Sequence, residues 1–294
     1  MNRFEETTTP LAPGTHTITV EGIAQRYHVA GTGPVCVAHS GGPGIAWPYL
    51  KSEALEQHLT MVYLEPIGTG DSGRLADPSG YHLDTYTRFL HAVVEHLGVP
   101  KVALLGHSHG GFVVLRHVLE HADRVSSIVL YDTSPVTGEE FWADAVANVT
   151  RFAERHRAPE VAAAFARIGS DLDDDGKTQL VKDLLPSYFA DYHGREAEFR
   201  PLRDGLRAYR APDLGVEPRP FDVREQLPEI TVPTLVVVGA HDVICGPRWA
   251  ELLINGIPHA QALALTDSGH FGHLEQPEEF ESAVVDLVTK AAAH

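Results

Sequence analysis

The chain has 294 residues, 43% of them apolar, and 40 acidic side chains against 23 Lys and Arg, for a formal net charge of −17. That length suits one large α/β domain with an insert, and the charge argues against nucleic acid or an anionic membrane as partner, since either is repelled at long range. Residues 1–15 hold no apolar block and no run is long enough to span a bilayer, so neither a secretory leader nor a membrane anchor is expected. Cys36 and Cys245 lie far apart and fit two core thiols of a cytoplasmic protein better than a disulfide framework.

Short β-rich runs alternate with helical patterns. Residues 15–21 and 25–30 predict a hairpin around Gly22, and 34–39 a buried strand running into the loop His39-Ser40-Gly41-Gly42-Pro43-Gly44. Residues 60–65 predict the next strand. Residues 81–97 predict a helix stopped by Gly98 and Pro100. Residues 101–105, 126–131 and 234–238 are nearly continuous apolar runs, which suit parallel strands covered on both faces. A last strand is expected at 261–265, and Pro277 opens a terminal helix with Glu278 and Glu279 in its first turn. The series predicts an α/β fold with a mostly parallel central sheet and helices on both faces. Residues 136–227 interrupt it with polar helical pattern and scattered aromatics. They are expected to form a helical cap, with residues 1–135 and 228–294 as the core domain.

The richest stretch is Leu105-Gly106-His107-Ser108-His109-Gly110-Gly111. A strand precedes it and an apolar helical pattern follows, the context in which Gly-x-Ser-x-Gly is a nucleophile elbow. A serine hydroxyl needs an imidazole to take its proton, and the imidazole needs a carboxylate to fix its tautomer. In the chain order that accompanies this elbow both partners come late. Asp242 follows the 234–238 strand and His270 the 261–265 strand, so Ser108, Asp242 and His270 should meet at the C-terminal strand ends, where open α/β sheets hold ligands. Asp132, Asp267 and His273 are weaker competitors for the acid and base roles. An oxyanion hole needs two N–H donors. His109 should give one and Gly42 the other, with Gly41 as the neighbouring choice. His107, flanking the nucleophile, either touches substrate or packs against loops.

Taken together, these segments resemble the α/β-hydrolase fold and, more narrowly, the proline iminopeptidase-like serine hydrolases. The resemblance is carried by Gly41-Gly42-Pro43-Gly44, Gly68-Thr69-Gly70-Asp71-Ser72-Gly73, the elbow, Gly239 to Asp242, Gly269-His270-Phe271 and Glu275-Gln276-Pro277-Glu278-Glu279-Phe280. It departs from that family at Ser40, at Glu65-Pro66-Ile67 and at His109. The resemblance implies a Ser108/Asp242/His270 triad, a helical cap and release of an N-terminal residue from a small peptide or amide. Recognition of a free α-ammonium requires paired acids, for which Glu65, Glu139, Glu140, Asp144 and Asp191 are candidates. Trp142, Tyr188 and His273 are further candidates for the substrate pocket. A carboxylesterase or lactonase uses the same machinery, as do an acyltransferase and a cofactor-free haloperoxidase, and a ligand receptor on this fold is the rival of another class.

No cofactor or metal is expected. Asp171-Leu172-Asp173-Asp174-Asp175-Gly176 begins like a calcium loop, but Lys182 stands where its closing Glu belongs. His117-Val118-Leu119-Glu120-His121 matches a zinc pattern with no third ligand in sight.

Overall fold

A computed structural model describes residues 9–210 and 221–293. Eight strands form one sheet: β1 (Gly14–Val20), β2 (Ile23–Gly31), β3 (Val35–His39), β4 (Thr60–Glu65), β5 (Val102–His107), β6 (Val125–Tyr131), β7 (Thr234–Gly239) and β8 (Gln261–Leu265). Their order is β1-β2-β4-β3-β5-β6-β7-β8, with β2 antiparallel to both neighbours and β3 to β8 parallel throughout. The predicted hairpin closes through Glu21 and Gly22, both at positive φ (52° and 82°). That is the backbone a two-residue turn needs to match strand twist.

The helices are α1 (Glu53–Glu56), α2 (Leu83–His96), α3 (His109–Glu120), α4 (Glu139–His156), α5 (Pro159–Phe165), α6 (Asp174–Leu184), α7 (Glu196–Gly205), α8 (Pro247–Gly256), α9 (Gly272–Glu275) and α10 (Pro277–Ala292). Side chains of α2, α3 and α8 bury one sheet face. Leu55 of α1 and Phe280, Val284, Leu287 and Val288 of α10 bury the other. Strands covered on both faces explain the unbroken apolar runs of β5, β6 and β7. None of the described helices is long and apolar enough to cross a membrane.

Strand order reverses beside β3 and β5, and the loops at their C-terminal ends therefore diverge to leave a crevice. Between β6 and β7 the chain leaves the sheet for α4 to α7. The stems of this excursion are tied together, with Thr137 N–H donating to Phe221 O (2.7 Å) and Val223 N–H to Pro135 O (3.0 Å). Its far end clips onto the loop after β3, where Ala46 N–H meets Arg207 O (3.0 Å) and Tyr209 N–H meets Gly44 O (2.8 Å). A third apolar cluster fills the seam, joining Leu185, Phe189, Tyr192 and Phe199 to Tyr49, Leu50 and Phe271. Pro212, Pro218 and Pro220, counted with the cap in the sequence, lie outside the described residues.

Candidate active site

Ser108 sits between β5 and α3 at φ 54° and ψ −120°, an unfavourable conformation for a residue with a side chain. Two glycines permit it. A Cβ on Gly106 would strike the backbone of Gly110, and one on Gly110 would strike the carbonyl of His39. Strand and helix can pass this closely only without those carbons. The turn is pinned by Ser108 N–H to Tyr131 O (2.9 Å), and the Ser108 carbonyl accepts from Thr133 Oγ1 (2.8 Å).

Asp242 and His270 come from the loops after β7 and β8. The buried Asp242 carboxylate accepts from Ile244 N–H through Oδ1 (2.7 Å) and faces His270 Nδ1 through Oδ2 (2.8 Å). With Nδ1 carrying the proton, Nε2 is left as the basic nitrogen. Ser108 and His270 share one cavity of about 400 Å³, which Gly41, Gly42, His107 and His109 also line. The Cys245 thiol is buried, and Ser108 is among the groups that act on it. No hydrogen bond joins the Ser108 hydroxyl to His270 among the described residues.

The His270 loop is held from beneath. His107 Nε2 donates to His270 O (2.8 Å), so its Nδ1 is the acceptor for the Tyr49 hydroxyl (2.6 Å), which in turn accepts Gly41 N–H (2.7 Å). Burial, and then the nearby rings of His270 and His273, hold His107 well below the ordinary histidine range. It is therefore a neutral strut that ties the β3 loop, the elbow and the His270 loop together. Glu275 adds a second clamp, accepting Gly269 N–H (2.7 Å) and Ala190 N–H from the excursion (2.9 Å).

Several expectations change here. Gly41 lines the cavity, but its N–H is committed to Tyr49, so it is not the second donor. Gly42, at φ 131°, has no such partner among the described residues. His273 does not line the cavity. Its Nε2 donates to Tyr49 O (2.9 Å) and its Nδ1 accepts from Tyr131 Oη (2.9 Å), a structural link rather than a substrate contact. Glu65 is also structural. His28 Nε2 meets it at 2.8 Å, and it caps the N–H groups of Asp71 and Ser72. Burial alone would raise its carboxyl, yet these bonds keep it below the ordinary range. Glu140 pairs with Arg224 and Arg248, and Asp144 with Arg248, outside the cavity. Asp191 caps Gly194 N–H (2.9 Å). Of the proposed acids only Glu139 lines the cavity, as do Trp142 and Tyr188. Asp267 is exposed and takes the Thr266 hydroxyl (3.3 Å).

The sequence did not mark Tyr49 or Lys177, and gave Cys245 and Glu275 no role in the site. Glu275 stood in a segment that carried the resemblance, and its distance from Gly269, six residues, was the available clue. Lys177 lines the cavity from α6 with Nζ on Ser170 O (2.9 Å). Around it the wall is largely apolar, with Ile45, Phe112, Phe141, Leu184, Phe221 and Ile244 among its members.

Atoms of His107, Asp132 and His270 lie within 4.8 Å of one another, the one grouping of metal-binding type among the described residues. Both nitrogens of His107 are already bonded and His270 Nδ1 faces Asp242, so no set of lone pairs converges on an ion. The calcium-like run instead starts α6, with Asp173 capping Gly176 N–H (2.9 Å) and Asp174 paired to Arg74 (2.6 Å). His117 and His121 pack with His91, whose ring stacks on His121 at 3.7 Å.

Comparison with known proteins gives this arrangement its class. The model of the alpha/beta hydrolase fold family matches residues 33–277, and the chain belongs to that family. Among relatives, it is 26% identical over 257 residues to a proline iminopeptidase of Lacticaseibacillus rhamnosus, covering 82% of this chain and 84% of that one. An esterase from Exiguobacterium antarcticum superposes with a TM-score of 0.71 at 25% identity, covering 94% and 99% of the two chains. The enol-lactonase from Burkholderia xenovorans LB400 does so with a TM-score of 0.72 at 21% identity, covering 93% and 100%. The chain is thus a hydrolase of the α/β family.

Proposed function

We propose that the protein is a serine hydrolase that cleaves a small, mostly apolar ester or lactone through an acyl-enzyme. The observation that carries this reading is the meeting of two features in one cavity: the strained Ser108 at the start of α3, and a His270 whose Nδ1 is fixed by the buried Asp242 at 2.8 Å.

In the reaction the Ser108 hydroxyl turns towards His270 Nε2, gives up its proton there and attacks the carbonyl carbon. Such bonds are commonly loose before substrate binds. The developing oxyanion faces the N–H groups of His109, at the head of α3, and Gly42. Such donors are each worth about 3 kcal/mol of barrier. His270 returns the proton to the leaving alcohol, and a water activated by the same nitrogen releases the acid. Asp242 balances the imidazolium. The excursion acts as a lid that excludes water and shapes the acyl pocket.

The lining of the cavity supports this substrate class. Binding an α-ammonium in a partly dry pocket calls for paired carboxylates, whereas four of the five candidate acids are engaged elsewhere. A cavity walled mainly by aromatic and aliphatic groups suits an apolar acyl chain. Glu139 favours a second reading, an aminopeptidase like the related proline iminopeptidase, with that carboxylate taking the amino terminus. Turnover of a panel of p-nitrophenyl esters, lactones and aminoacyl anilides separates the two. Esters should be favoured, and activity should fall by about 10⁴- to 10⁶-fold in Ser108→Ala. Wild-type activity in that variant would refute the serine mechanism, and a preference for prolyl anilide abolished by Glu139→Gln would select the aminopeptidase.

A further inference from the structure

Asp132 follows β6 at φ 43°, its N–H donating to Val237 O (2.9 Å). Its carboxyl is fully buried beneath the site. Oδ1 accepts Gly239 N–H (2.8 Å), whereas Oδ2 meets no N–H or O–H donor among the described residues. The Asp242 carboxyl stands beside it: an Asp132 oxygen lies within 4.8 Å of a His270 ring nitrogen, and Asp242 Oδ2 holds Nδ1 of that ring at 2.8 Å. Two neighbouring carboxyl groups in a dry site, one of them with an oxygen that no donor satisfies, are not both ionised, so the pair holds one proton. Its location follows from the donors. Asp242 takes the Ile244 N–H and the His270 Nδ1–H, two bonds that stabilise a negative charge, and Asp132 takes one.

We propose that Asp132 is a neutral carboxylic acid that donates a hydrogen bond to Asp242, making it a positioning residue for the Asp242–His270 pair. The remaining groups around it agree. Glu275, Tyr131 and Cys245 surround it, and none brings a positive charge. The ring nitrogens of His107 and His270 lie within 4.8 Å, and His107 is neutral. Burial, reinforced by the charge of Asp242, holds the Asp132 carboxyl well above the ordinary range. The O–H therefore removes a second anion from beneath the imidazole and fixes the plane of Asp242. The catalytic consequence rests on the Ser108 and His270 reading, but the proton itself does not.

Asp132→Asn keeps the geometry: asparagine tolerates positive φ, its amide oxygen can accept from Gly239, and its NH₂ replaces the O–H. Difference infrared spectroscopy of wild type minus Asp132→Asn at pH 7 should show a protonated-carboxyl C=O band, and the same band in a Ser108→Ala background. Asp132→Asn should hold kcat/KM within about threefold, while Asp132→Ala, which lacks the donor, should lose about 10- to 100-fold. Because a neutral acid is favoured only in the folded state, wild-type stability should decline relative to Asp132→Asn as pH rises above about 4. A carboxylate signal in place of the C=O band, or Asp132→Asn as impaired as Asp132→Ala, would overturn the proposal. Should Ser108→Ala remain active while the band persists, the serine mechanism falls and the shared proton stands.

Discussion

The sheet rim and the β6–β7 excursion build the same cavity by opposite means. At the rim the polar groups are buried and bonded over long stretches of sequence, as in Gly41 to Tyr49 to His107 to His270. In the excursion many charged groups are exposed, and its ion pairs run within it or to nearby core residues, as Glu140 does with Arg224 and Arg248. Buried hydrogen bonds are expensive to leave half-made, so the rim is rigid. Exposed pairs contribute little, so the excursion can change its lining without unfolding the core. On the proposed mechanism, chemistry falls to the rim and selectivity to the excursion.

Substitutions can break that division in order of effect. His270→Ala should lower kcat by at least about 10⁴-fold with KM little changed, since it removes a group that acts in the transition state. Steady-state kinetics on a chromogenic ester measures it. Gly110→Ala should destabilise the whole protein by several kcal/mol, because its Cβ collides with the His39 carbonyl; denaturant unfolding reports the loss. Trp142→Ala, on the excursion, should leave the unfolding midpoint and kcat nearly unchanged and raise KM about fivefold, the equivalent of about 1 kcal/mol of apolar contact. A collapse of kcat there would contradict the division.

Protonation gives a finer test. Burial holds His39 and His117 at about 3 and His273 at about 4. All three therefore fold neutral. A lowered folded pKa means that their contribution is complete above the unfolded value of about 6.5 and is lost as pH falls towards 3. The thermal midpoint should drop steeply through that window, and His117→Gln should make the drop shallower while leaving ester turnover intact.

The same contrast explains what could be read from the chain. The elbow, the Glu21-Gly22 turn and the Pro277 helix start were legible because each depends on a backbone conformation that neighbouring residues dictate. The late placement of Asp242 and His270 was legible because strand ends converge on one edge of a parallel sheet. Glu65 and His273 were misjudged because their partners are remote: His28 is 37 residues from Glu65, and Tyr131 is 142 from His273. Sequence position shows that an acid or imidazole is near the rim, and only the fold shows what already occupies it. In the excursion no pattern separated Glu139, which faces the cavity, from Glu140, which does not, since adjacent residues on a helix point about 100° apart.

The most direct test of the account is labelling with a fluorophosphonate followed by peptide mass spectrometry. Ser108 should be modified stoichiometrically, with labelling abolished in Ser108→Ala and strongly slowed in His270→Ala. Modification at another residue, or a His270→Ala variant labelled as fast as wild type, would contradict it.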